Sequence, residues 1–100
     1  MEEKEVFSSC TEKLANELPV LRKMCNLTQK NLGDIVGVSR QTITNIESGK
    51  CEMKWTLFLA LILLFNLNKN CNNYIKEMDI PYEQVKDILA KKLKKHDLSR

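Results

Sequence analysis

Glycine and proline are scarce, three and two residues in a chain of 100. That leaves little turn-forming material for hairpins, and no run alternates apolar and polar residues as a half-buried strand would. Histidine occurs once, at His96. With no paired carboxylates in an apolar setting and no glycine-rich phosphate loop, nothing assembles a catalytic centre, and an enzyme is not expected. Cys10, Cys25, Cys51 and Cys71 never stand in C-x2-C spacing and lie far from His96 in sequence, so no zinc site is expected. Nothing implies a cofactor or a small-molecule pocket. Without a secretory signal at its start the chain reads as cytoplasmic, with reduced thiols and Cys25 as a small core residue. The longest apolar run, WTLFLALILLF from Trp55 to Phe65, spans only about 16 Å as a helix, against the roughly 30 Å of a bilayer core.

What is present is helical. The chain is 43% apolar, typical of a globular domain, and its length allows one such domain with a modest core. The net charge of +3 is too small to identify a partner, but it is unevenly placed: residues 1–21 carry −3, residues 22–54 carry +3 and residues 55–100 carry +3.

From Glu2 to Glu17 the apolar residues Val6, Phe7, Cys10 and Leu14 recur at helical spacing. Pro19 then predicts a break, with a short second helix from Pro19 to Cys25; one helix kinked at Pro19 is the alternative. Asn26 is a plausible C-cap. The Trp55–Phe65 helix, with Thr56 as expected N-cap, is apolar all round and must be covered all round, by other helices or by a second subunit. Asn66 to Asn73, NLNKNCNN, reads as a polar connection. Tyr74, Ile75 and Met78 then suggest a short helix. A last helix after Pro81 places Tyr82, Val85, Ile88, Leu89 and Leu93 on one face, to pack on the N-terminal helix, on the Trp55–Phe65 helix or on a twin.

The most informative stretch runs from Leu27 to Lys50. Thr28 can cap a helix, with Leu27 and Leu32 spaced as a hydrophobic staple, and Ser39 repeats the arrangement with Val38 and Ile43. Gly37, between them, supplies the left-handed residue that closes a helix. In the second helix Arg40, Gln41, Thr44, Asn45 and Ser48 form one polar stripe opposite Ile43 and Ile46. Guanidinium and carboxamide groups make bidentate bonds to guanine and adenine, whereas an ordinary solvated face would be built from Glu and Lys.

Together, Thr28-Gln29, Asn31, Leu32-Gly33, the run from Ile35 to Ile43, Ile46-Glu47 and Gly49-Lys50 resemble the helix-turn-helix of the phage-repressor and Cro type, the xenobiotic-response-element family of regulators. The resemblance covers roughly Pro19 to Asn68. Gly33 departs from it, since the family usually has alanine where the two helices touch. The resemblance implies a compact all-α, lambda-repressor-like bundle over residues 19–68, with helical extensions over 1–18 and 69–100. It implies a sequence-specific double-stranded-DNA-binding transcriptional regulator, most simply a repressor, whose helix 40–48 enters the major groove. Arg40, Gln41, Thr44 and Asn45 would then read bases. Gln29, Lys30, Lys50 and Lys54 would meet phosphate, and Thr42 a phosphate or a thymine methyl. Arg22 and Glu47 would form a structural ion pair, and the protein would act as a homodimer, at least on DNA. A protein-interaction module such as an antitoxin, with DNA binding secondary, is the alternative; such a module has no reason to keep Arg40, Gln41 and Asn45 together.

Overall fold

The longest helix, α1 (Glu3–Met24), is the element that most of the others pack against. It buries Val6, Cys10, Leu14, Leu18 and Leu21, one residue per turn along a single stripe. The computed structural model describes residues 2–96, and within them five further helices follow: α2 (Gln29–Val36), α3 (Arg40–Glu47), α4 (Trp55–Asn66), α5 (Lys69–Glu77) and α6 (Tyr82–His96). The fold is thus all-helical, and α1 touches α3, α4, α5 and α6. One apolar cluster takes buried residues from every helix.

Pro19 does not break α1. The helix runs through it, and the expected separate helix from Pro19 to Cys25 is its last turns. A proline forfeits one backbone hydrogen bond and crowds the preceding turn, at a cost of roughly 3 kcal/mol. The stripe outweighs it: Leu14 and Leu18 before the proline and Leu21 after it are all fully buried, each worth about 1.5–3 kcal/mol. At the end of α1, Asn26 takes the positive φ expected of it, 57°.

Three other expectations are corrected. Thr56 is not the cap of α4, which begins at Trp55 with Lys54 in the cap position and no side-chain cap bond. Trp55 is instead held by ring stacking, 4.1 Å from Phe7 of α1 and 4.8 Å from Phe58 between centroids. The polar stretch from Asn66 to Asn73 is mostly helix: the Asn68 side chain accepts from the amides of Asn70 and Cys71 and starts α5 at Lys69. Finally, α6 packs on α1, but Leu89 and Leu93 stay exposed, Leu93 by 72%. Lys92 pairs with Glu3 at 2.6 Å, so Leu93 lies level with the beginning of α1.

The continuity of α1 gives a direct check. Pro19→Ala should restore a backbone hydrogen bond and raise the denaturant midpoint, by on the order of 1 kcal/mol or more in stability; an unchanged or lower midpoint would mean that the chain does not run as one helix through residue 19.

Candidate nucleic-acid interface

The geometry of α2 and α3 follows from their caps. Thr28 Oγ1 accepts from the Asn31 amide at 3.0 Å while Asn31 Oδ1 accepts from the Thr28 amide at 3.2 Å, a reciprocal box that fixes the start of α2. Gly37, with φ 80°, ends it: the amides of Gly37 and Val38 both donate to the Gly33 carbonyl, at 2.8 and 2.9 Å. Ser39 Oγ then accepts from the Thr42 amide at 3.0 Å and starts α3. A Cβ on Gly33 would lie 2.6 Å from the Val38 carbonyl oxygen. Glycine therefore lets the turn press closer on α2 than the family's usual alanine would in this backbone.

Buried Ile43 and Ile46 turn the other side of α3 outward. Arg40, Gln41 and Ser48 are exposed, and Thr42, Thr44 and Asn45 half-buried. Gln41 Nε2 donates to Asn45 Oδ1 at 2.9 Å across one helical turn, so the two carboxamides stand side by side.

Behind this face runs a hydrogen-bonded chain through three helices. Arg22 donates to both Glu47 oxygens, Nε to Oε2 at 2.8 Å and Nη2 to Oε1 at 3.1 Å, and through Nη1 to the Leu27 carbonyl at 3.0 Å. The Glu47 side chain is 8% exposed and that of Arg22 14%. Gln29 Nε2 donates to Glu47 Oε1 at 3.0 Å, and Thr44 Oγ1 donates to Gln29 Oε1 at 2.9 Å. Because an ionised carboxylate can only accept, the Gln29 amide must turn its nitrogen to Glu47 and its oxygen to Thr44. The expected Arg22–Glu47 pair is present. Its extension to Gln29 and Thr44 had no sequence signal, because it joins positions on separate helices.

The expected backbone-contacting residues lie around the same elements. Gln29, in the first turn of α2, keeps its second amide hydrogen free of Glu47. Lys30 pairs with Asp34 at 2.9 Å, but both are largely exposed, so the pair is worth little and easily exchanged. Gly49, φ 80°, closes α3, and the Lys50 amide donates to the Asn45 carbonyl at 2.8 Å. Lys50 and Lys54 are exposed and make no ion pair among the described residues.

The helix-turn-helix family model matches residues 21–52, the span from the end of α1 to the loop after α3. An uncharacterised HTH-type transcriptional regulator of Methanocaldococcus jannaschii is 39% identical over 54 residues, which cover 54% of this chain and 82% of that protein. The chain belongs to the helix-turn-helix family of the phage-repressor and Cro type. No solved structure matches it. Within the matched span α2 and α3 are the two helices of the motif, and the Arg22–Glu47–Gln29–Thr44 chain joins α1 to both.

Removing one end of that chain isolates a nearly buried carboxylate. Arg22→Met should lower stability by about 3 kcal/mol, read as a fall in the denaturant midpoint; a loss within the range of a surface pair, below about 1 kcal/mol, would show that Glu47 is solvated after all.

Proposed function

We propose that this protein is a sequence-specific double-stranded-DNA-binding transcriptional repressor, with residues 19–68 as its DNA-binding unit and α3 entering the major groove. The observation that carries the reading is the recognition helix itself: Ile43 and Ile46 anchor one side in the core, while Arg40, Gln41, Thr44 and Asn45 occupy the other. An eight-residue helix is marginal alone. Here the fold holds it helical, so its outward side chains need not be helix formers and are chosen from groups that match base edges.

Arg40, Gln41 and Asn45 are the base readers, Gln41 and Asn45 after exchanging their mutual bond for bonds to bases. Thr44 reads through its methyl group, since its hydroxyl hydrogen is given to Gln29 or the Arg40 carbonyl. Gln29, at the positive end of α2, and Lys30, Thr42, Lys50 and Lys54 contact the sugar–phosphate backbone.

A second copy of the chain completes the site on DNA. One recognition helix reads only a few base pairs, and two-fold pairing doubles the site. The support is α4 and the residue that closes it, where Leu59, Leu63 and Leu67 follow one another at four-residue spacing and remain exposed, Leu63 by 72% and Leu67 by 85%. The same stripe is what favours the second reading, an antitoxin-like interaction module with a different protein partner. The base-reading face separates them, because a pure interaction module does not depend on it.

The discriminating experiment compares three variants on a selected DNA site. Arg40→Ala and Gln41→Ala should each weaken binding by about 1–3 kcal/mol and relax preference at one position. Lys50→Ala should weaken all sequences alike and flatten the salt slope by about one. Equal affinity of Arg40→Ala, Gln41→Ala and wild type for that site would refute base reading by α3.

A further inference from the structure

Two of the four cysteines meet in the folded chain. Cys25, the residue that closes α1, and Cys71, in the first turn of α5, are 46 positions apart, with Sγ atoms 3.2 Å from each other. Both are free thiols. Cys71 is fully buried and its Sγ also faces the Leu21 carbonyl at 3.6 Å, whereas Cys25 is only half-buried. Cys10 is buried elsewhere in the core and Cys51 is exposed in the loop after α3.

The geometry points to Cys25 and Cys71 as a thiol pair that low-molecular-weight disulfides oxidise to an intramolecular bridge. A disulfide holds its sulfurs about 2.0 Å apart, so closure needs a movement of about 1 Å. Cys25 can supply it, because it lies outside the regular part of α1, where the chain turns through Asn26 at positive φ. The half-buried Cys25 is the thiol that an external reagent reaches first. Its sulfur attacks the oxidant's disulfide, forming a mixed disulfide and expelling one thiol that carries away the Cys25 proton. Cys71 then attacks the Cys25 sulfur, expelling the second thiol with the Cys71 proton. Two protein thiols are oxidised and one disulfide is reduced to two thiols, so electrons and protons balance. Burial, more than the neighbouring Cys25 thiol, pushes the Cys71 thiol up, and because burial persists in the mixed disulfide the second step is the slower one. The bridge would tie α5 to the end of α1, two residues before the carbonyl of Leu27 that holds Arg22.

The experiment uses the full chain carrying Cys51→Ser, which removes the exposed thiol that could link two molecules. After incubation with oxidised glutathione in mildly alkaline buffer, the protein is unfolded, alkylated and digested. The expected result is a Cys25–Cys71 linked peptide with Cys10 alkylated, together with a thermal midpoint raised by about 10 °C and restored by dithiothreitol. Alkylation of both Cys25 and Cys71, or glutathione held on Cys25 beside a free Cys71, would overturn the proposal. So would the same rise in midpoint in a protein that also carries Cys71→Ala, which can form only the mixed disulfide.

Discussion

The carboxylate of Glu47 is the group on which the rest of the helix-turn-helix depends. It is nearly buried on the last turn of α3, and a charge in that position is costly unless its lone pairs are met. Arg22 comes from α1 and Gln29 from α2, so satisfying one side chain brings three helices into register. Thr44 then rests on Gln29, and the chain of bonds reaches the outward side of α3. The apolar contribution of α3 is small by comparison, two isoleucines, which hold it against the core without fixing its rotation as the directional bonds do.

This division of labour leaves the outward residues of α3 almost free of structural duty. Inward, α3 is specified by Ile43, Ile46 and Glu47; outward, Arg40 and Gln41 have no structural duty beyond the Gln41–Asn45 contact. The close turn works in the same direction. With no Cβ at Gly33 the Val38 carbonyl can sit against α2, which sets where Ser39 begins α3. The terminal helices contribute from behind: Phe7, Trp55 and Phe58 stack where α1 meets α4, and Tyr74 of α5 donates to Glu17 of α1 at 2.5 Å.

The features legible in the sequence are those written in local chemistry. Thr28, Gly37 and Ser39 cap and close helices through bonds to residues three or four positions away, so spacing alone reveals them. The Arg22–Glu47 pair was readable only through family resemblance. What sequence missed is decided by partners remote in the chain. Pro19 signals a break, yet the buried leucines on either side keep α1 whole. Thr56 looks like a cap, yet α4 begins two residues earlier, at Trp55, which stacks on Phe7. Asparagines read as loop in Asn70, Asn72 and Asn73, though Asn68 caps them into α5. Leu93 has the right phase for a core face, yet it stays 72% exposed.

Selection of bound sites from a random pool of double-stranded DNA tests the central claim most directly, that a helix pinned through Glu47 presents a base-reading face used by two copies together. The expected result is enrichment of one sequence made of two inverted half-sites about 34 Å, one helical turn, apart. Recovery of no preferred sequence from a folded protein would contradict it.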